Sequence, residues 1–486
     1  MRAADLFPDA AVSLRAANAY VADLLTPTIR LGVTGLARSG KTVFITALVR
    51  NLTGGGRLPH LAADAEGRIV RAYLEPQPDD AIPRFDYEGH LACLTAPVPT
   101  WPDSTRRISQ LRLTIEYEPK SVMWSWMGSS KLHVDIVDYP GEWLLDLGLI
   151  DQSYEHWATE ALNLARAPQR AEAAAAFLDF LALHPPGEPA NEQTAIEGAK
   201  LYTAYIEADR SCDQAQATLG PGRFLMPGEL EGSPLLTFFP LPAPQPGAVA
   251  KSGNLYTLMA RRFDSYKSHV VQPFFRDHFS RLDRQIVLID VLGAINRGGN
   301  AMADLERALT SVMRAFRPGA GSWLSFLTGA RVGKLLFCAT KADHLHHLSH
   351  APLEAILRLA TDRAAARAST AGADVSVLAI AAVRATREAQ VREDRDTFHV
   401  IMGTPLPGER LDDQVFDGTT EAGIFPGDLP TDPADAFSAS ATRAGEQAFI
   451  RFRPPLLTAM PGTTGAVLPH IRLDRAIDFL IGDKLA

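Results

Sequence analysis

The chain of 486 residues is 46% hydrophobic and 21% charged, with a formal net charge of −8. This composition fits a globular protein with room for a large core and elaborations, and it lacks the basic footprint that nucleic acid selects, so no nucleic-acid partner is expected. Cys93, Cys212 and Cys338 stand too far apart for a disulfide framework or a zinc ribbon, no apolar run is long enough to cross a bilayer, and the N-terminal residues lack a signal peptide's basic start. A cytoplasmic protein is expected, with peripheral membrane contact left open.

Residues 11–25 carry apolar positions at helical spacing, ended by Pro27. Ile29–Thr34 reads as a strand. A glycine-bearing loop follows, then a helix with Phe44, Ala47, Leu48 and Leu52 on one face, stopped by Gly54-Gly55-Gly56. Residues 55–104, dense in Pro, Asp and Gly, predict an irregular loop region. Ser109–Tyr117 and Leu132–Val137 alternate as strands and suit an antiparallel hairpin. From 143 to 280 the character changes: alanine-rich helical stretches cover 155–182 and 191–219, a proline-rich break 221–247, and a long helix about 252–283, kinked at Pro273. Strand character returns at Gln285–Val291. A helix with a stripe of Met302, Leu305, Leu309, Val312, Met313 and Phe316 follows, then a strand at Lys334–Thr340 and a helix–strand pair ending at Val375–Ala382. Residues 395–465 read as turns and short strands, and Leu473, Ile477 and Leu480 mark a last helix.

Strands alternating with helices predict an α/β fold with a mostly parallel sheet flanked by helices. The expected organisation is a core of residues 28–145, 284–395 and 466–486, a mainly α-helical insertion at 146–283 and a turn-rich C-terminal elaboration at 396–465.

Gly35-Leu36-Ala37-Arg38-Ser39-Gly40-Lys41-Thr42 fits G-x-x-x-x-G-K-[ST], between an apolar strand and an amphipathic helix. Gly35 and Gly40 let the backbone wrap closely, so that N–H groups of Ala37, Arg38, Ser39 and the helix start can point at phosphate oxygens. Lys41 supplies charge to the β- and γ-phosphates, and the Thr42 hydroxyl is placed to ligate Mg²⁺. Arg38 either adds a second cation near the phosphates or points outward. Ala37, not being glycine, leaves less room for a partner's arginine finger.

Asp138-Tyr139-Pro140-Gly141 ends the next strand but one. Asp138 is placed to hold Mg²⁺ through water, and Gly141 to offer its N–H to a γ-phosphate. Glu142 stands where many Ras-like GTPases carry the water-orienting glutamine. It either accepts from that water or is a solvated switch residue, and a carboxylate beside phosphate predicts slow hydrolysis. Thr105, or its neighbour Ser104, is the expected switch hydroxyl on Mg²⁺.

Thr340-Lys341-Ala342-Asp343 matches the [NT]-K-x-D guanine reader at a strand end. Asp343 accepts the ring N1–H and the exocyclic amine of guanine, and ATP would leave its charge unpaired. The Lys341 stem lies over the base, and backbone N–H groups of Ala381, Ala382 and Val383 reach the guanine oxygen. GTP or GDP with Mg²⁺ is the expected ligand.

With these elements in order the sequence resembles the YcjX-like family of bacterial, stress-linked P-loop GTPases. The resemblance rests on Gly35–Thr42, Asp138–Trp143, Ala339–His344, Pro273–Arg276, Ile289–Leu292 and Pro469–Asp474. It implies a Ras-like core, guanine-nucleotide binding, hydrolysis of GTP to GDP and phosphate, and an indirect tie to the inner membrane through envelope stress. The insertion directly follows the Asp138–Glu142 switch, so it is the expected surface for a protein effector. The competing expectation is a nucleotide-gated scaffold with negligible hydrolysis.

Three lesser features remain. His344, His346, His347 and His350 cluster after the base motif; His346 and His350 have metal-ligand spacing if both lie on one helix, and otherwise mark a solvated helix start. Asp290 is expected inside a strand, supporting the phosphate loop. In Ile450-Arg451-Phe452-Arg453 the arginines either bind phosphate or anionic lipid, or face water while Ile450 and Phe452 pack inward.

Overall fold

The computed structural model describes residues 26–486 apart from 36–38, 105–106, 121–128, 212–218, 245–252, 315–331, 394–395, 412, 439–448 and 458–465. The expected helix over 11–25, the loop residues Ala37 and Arg38, Thr105 and Cys212 therefore lie outside the described residues.

Seven strands, β1 (Thr28–Gly35), β2 (Ile69–Glu75), β3 (Ser109–Tyr117), β4 (Ser130–Asp138), β5 (Arg284–Ile289), β6 (Lys334–Ala339) and β7 (Asp374–Ala379), form one sheet in the order β2-β3-β4-β1-β5-β6-β7. β1 lies parallel between β4 and β5, and β5, β6 and β7 continue parallel, while β3 runs antiparallel to β2 and β4. The central strands are apolar on both faces because helices cover both. On one face Phe44, Leu48, Ile477 and Leu480 pack with Leu31 and Leu336. On the other, Met302, Leu305, Leu309 and Leu353 pack with Val287 and Phe337. This is the Ras-like α/β sheet expected, and it brings the ends of β1, β4, β5, β6 and β7 to one edge, where ligands of such sheets bind.

Three expectations need correction. Residues 55–104 are not all irregular: they hold β2 and the helices Ala62–Ala65 and Tyr87–Thr95. β2 forms because its alternating Arg71 and Tyr73 reach Glu116 on β3, at 2.6 Å and 2.9 Å, giving the edge strand a cross-strand anchor. The long helix near Pro273 is three pieces: Leu255–Tyr266, a π turn at Lys267–Val271, and Gln272–Asp277. The irregular turn precedes Pro273, so the proline sits at the start of the resumed helix, where its missing N–H costs little. Strand β5 stops at Ile289, and Asp290 caps the helix Val291–Arg297 by accepting the Gly293 N–H at 2.9 Å.

Between β4 and β5 the described residues are mainly helical, with an irregular stretch over residues 226–244 broken only by short 3-10 turns, and they share one aromatic core. Trp157 stacks on Phe263 at 5.0 Å, and Phe177, Tyr202, Phe238 and Tyr266 close around them. Residues 387–424 add a three-stranded antiparallel sheet of β8 (Arg387–Glu393), β9 (Asp396–Gly403) and Ala422–Ile424. Cys93 and Cys338 are free thiols. No helix among the described residues is long and apolar enough to cross a membrane.

Candidate nucleotide-binding site

The phosphate loop follows β1 as expected. A Cβ on Gly35 would lie 2.5 Å from the Leu288 carbonyl and 2.4 Å from Ser39 Oγ, so only glycine lets the loop turn back against β5. Gly40 is left-handed (φ 84°) and opens the helix Lys41–Thr53, whose first turn, Lys41–Phe44, lines the cavity described below. Lys41 is buried, and its Nζ donates to the Gly35 carbonyl at 3.0 Å, curled over the loop it serves. Thr42 Oγ1 donates to the Asp103 carbonyl at 3.3 Å, which ties the loop to the 101–104 segment. Ser39 Oγ is buried with no hydrogen-bond partner among the described residues. A buried hydroxyl of that kind and a cradle that a Cβ would fill both fit an anionic ligand with its metal.

Asp138 ends β4 opposite Val33 of β1 and is 1% exposed. The chain beyond Asp138 is packed, not a loose loop. Tyr139 is fully buried, edge-on to Phe274 at 5.4 Å and Phe279 at 6.4 Å. The Gly141 N–H has no backbone acceptor among the described residues. Glu142 is 4% exposed, which corrects the solvated-switch alternative. Its carbonyl accepts from Leu145 N–H at 3.0 Å, and a Cβ on Gly222 would meet that carbonyl at 1.8 Å. The helix Trp143–Leu147 is then clamped from the helical segment. Trp143 Nε1 donates to the Met226 carbonyl at 2.9 Å, and the Arg223 guanidinium covers the indole at 3.2 Å. Asp146 accepts the Gly222 N–H at 2.7 Å. Burial pushes the Asp146 carboxyl up to about 6, against the pull of that hydrogen bond and of Arg223.

The base motif follows β6. Thr340 N–H donates to the Ile289 carbonyl at 2.9 Å, which fixes the loop to the end of β5. Lys341 takes a left-handed conformation (φ 62°), and its Nζ pairs with Asp290 at 2.5 Å. Asp290 thus anchors the base loop, not the phosphate loop. Burial pushes the Asp290 carboxyl up, but the Lys341 ammonium and the Gly293 N–H outweigh it and hold it below the usual carboxylate range. Asp343 is 4% exposed and accepts the Ala385 N–H at 2.8 Å, and its own carbonyl accepts the Thr386 hydroxyl. Ala381 N–H is engaged by the Ile471 carbonyl at 3.0 Å and is not available for the expected amide contact.

The phosphate loop and the base loops line one cavity of about 360 Å³, with Lys41, Thr42, Lys341, Asp343, Val383, Asp103 and Ser104 in its wall, while Asp138, Gly141 and Glu142 are not among its lining residues. Sequence reasoning missed that Trp101, Leu406 and Phe452 line it too, while Arg451, weighed there as a phosphate or lipid binder, is also in the lining. Trp101 Nε1 donates to the Phe452 carbonyl at 2.7 Å, and Phe452 meets His344 edge-on at 5.2 Å. The signal for Phe452 was the inward alternation of Ile450 and Phe452, which holds at 5% and 3% exposure. Arg451 faces Glu409 at 2.5 Å, and Arg453 donates to the Gly418 carbonyl at 2.7 Å. The His346–His350 pair weighed as metal ligands does not form. Helix His350–Thr370 begins after His346, and His350 Nε2 shares a hydrogen bond with the Ala342 carbonyl at 2.9 Å.

The model of the YcjX-like family matches residues 29–485. Among curated proteins the chain is 36% identical to the "Ras-like GTPase YcjX" of Escherichia coli over 478 residues, covering 96% of this chain and 98% of that protein. It is 35% identical to the "Ras-like GTPase YcjX" of Shewanella oneidensis, with 94% of each chain covered.

Proposed function

This chain belongs to the YcjX-like family, and from that premise we propose that it binds GTP and hydrolyses it to GDP and phosphate in the cavity between Lys41 and Asp343. One observation carries the reading: a phosphate loop and a guanine-type carboxylate line the same cavity, after β1 and β6, which flank β5 in one sheet. In this reading Gly35–Thr42 wraps the phosphates, with Ala37, Arg38 and Ser39 in the turn, and Lys41 Nζ exchanges the Gly35 carbonyl for phosphate oxygens. Thr42, Asp138 and the hydroxyl of Thr105 or Ser104 hold Mg²⁺, which supplies charge neutralisation on the phosphates when bound. Gly141 N–H meets the γ-phosphate. Asp343 pairs with the base N1–H and amine, Ala382 and Val383 N–H with its oxygen, and the Lys341 stem covers its face.

Hydrolysis adds water to the γ-phosphorus and breaks the bond to the β–γ bridging oxygen, which leaves on GDP. Glu142 is the side chain best placed in sequence to orient that water, and Arg38 adds a cation if turned inward. A buried carboxylate beside a polyanion raises the barrier, so the reaction is slow and switch-like. Residues 28–145, 284–395 and 466–486 form the nucleotide unit, 146–283 an insertion that meets an effector, and 396–465 an elaboration that roofs the cavity. A cytoplasmic role in bacterial stress response, with peripheral contact at the inner membrane, follows from the family resemblance.

Phosphate release from the purified protein with GTP and with ATP, beside Lys41→Ala, tests the proposal. Release from GTP alone, lost in the variant, is expected. Release from ATP overturns the base assignment. Tight GDP and GTP binding without release favours the scaffold reading, which the packing of Gly222 on the Glu142 carbonyl supports because it holds the water-placing residue rigid.

A further inference from the structure

We propose that His346, His347 and Glu388 form a binding site for a divalent transition metal of the zinc class, which staples the base-reading loop to the β8–β9 hairpin. The ligating atoms of the three residues all lie within 4.8 Å of one another. Tetrahedral ligands about roughly 2.1 Å from zinc stand roughly 3.4 Å apart, and His346 Nε2 lies 3.3 Å from Glu388 Oε2. His347 Nδ1 lies 2.7 Å from the same oxygen. Two imidazoles and a carboxylate are a known three-ligand zinc set with a fourth position for water. Imidazole donors also set this site apart from one for Mg²⁺, which takes oxygen ligands.

The surroundings are built as those of metal ligands are. Glu388 Oε1 accepts the His347 backbone N–H at 3.1 Å, so its carboxylate is oriented with the other oxygen toward the imidazoles. Glu388 pairs with Ile401 and Gln390 with His399 across the hairpin, which puts Glu388 and His399 on one face as diagonal neighbours. The His399 ring lies 4.2 Å from that of His346, and its Nδ1 is buried with no partner among the described residues. An orphaned imidazole nitrogen beside a His–His–Glu group is an independent sign of a missing ligand. His347 is exposed, so an ion has a path in.

The site joins two segments that meet at the base pocket. Asp343 stands three residues before His346, and Ala385, which holds its carboxylate, three residues before Glu388. A bound ion would fasten this junction from outside, yet the proposal needs no nucleotide.

The test is a Zn²⁺ titration of the tag-free, chelator-stripped full chain in competition with a chromophoric chelator, in excess Mg²⁺ and without nucleotide. Co²⁺ absorption provides a second readout. One Zn²⁺ per chain and an intense, tetrahedral-type Co²⁺ band are expected. Glu388→Gln and His346→Gln should each weaken Zn²⁺ binding by at least the roughly 10–100-fold that loss of even an outer-shell partner costs, with circular dichroism and the metal-free melting curve unchanged. No binding, or binding with the same affinity in both variants, overturns the site. Because nucleotide is absent, that result leaves the GTP reading standing, and failure of the GTP reading leaves this one.

Discussion

The two ends of the proposed nucleotide site are held by different means. The base end is fixed mostly by backbone at the strand ends: Thr340 N–H to Ile289 and Ala342 N–H to Ile380 at 3.1 Å, with Ala385 N–H on the Asp343 carboxylate. The Lys341–Asp290 ion pair and the pairing of Ala381 with Ile471, just before the last helix, add two ties from further along the chain. The segment after β4 that is proposed to meet the γ-phosphate lies outside the cavity lining and is held from far away in sequence. Tyr139, Trp143 and Asp146 are seated against Phe274, Met226, Arg223 and Gly222 of the helical segment. Under the proposed function, the base is read at the first of these ends and the phosphates are sensed by a segment whose packing is shared with those helices, so a nucleotide-dependent shift there is expected to reach them.

The largest expected effect breaks the base end alone. Asp343→Asn keeps an oxygen for the Ala385 N–H but exchanges an acceptor for a donor toward the base. Loss of charge-assisted bonds to guanine should weaken GDP binding roughly 100- to 1,000-fold, with xanthine nucleotide gaining in compensation. Unchanged GDP affinity by titration calorimetry would place the base elsewhere. A smaller effect belongs to the other end. Gly222→Ala puts a methyl 1.8 Å from the Glu142 carbonyl and 3.1 Å from the Trp143 nitrogen, backbone against backbone with no flexible atom to yield. We expect a loss of about 3 kcal/mol in unfolding free energy by urea titration, with GDP affinity nearly kept. In the native chain, hydrogen exchange over 146–283 should differ between GDP and a GTP analogue, and the variant should blunt that difference. Identical exchange in both nucleotide states of the native chain would remove the insertion as a readout of the switch.

The same division explains what the sequence shows and what it hides. Phosphate loop, Asp138 and Thr340–Asp343 are legible because each is a short run whose chemistry requires fixed residue types after an apolar strand. β1 and β3 to β7 are legible for the same local reason, their Val, Ile and Leu content. Illegible features depend on partners distant along the chain. β2 hides among prolines and aspartates because its anchor is Glu116 on β3. Asp290 reads as strand because the Lys341 that claims it lies 51 residues on. The burial of Glu142 depends on Gly222, and the roofing of the cavity by Phe452 depends on a Trp101 hydrogen bond across 351 residues. No periodicity announces such contacts.

Asp146 offers the finest way to separate the two ends, because it titrates within the clamp and nowhere near the base. Its carboxyl is raised from 3.8 to about 6 by burial. Since the folded state holds the proton more tightly than the unfolded chain, this carboxyl's contribution to stability is complete below about pH 4 and is lost as pH rises through about 6. Asp146→Asn keeps an oxygen for the Gly222 N–H and carries no charge at any pH. The variant should therefore match the native chain in urea midpoint at pH 4 and exceed it by about 2 kcal/mol at pH 8, somewhat less than the full conversion of the shift because the site relaxes around the charge. A gain that is the same at both pH values would mean that Asp146 is not the titrating group in the clamp. GDP affinity should stay level throughout. If it moves with the Asp146 charge, the base edge is not independent of the clamp, and the two ends of the site act as one.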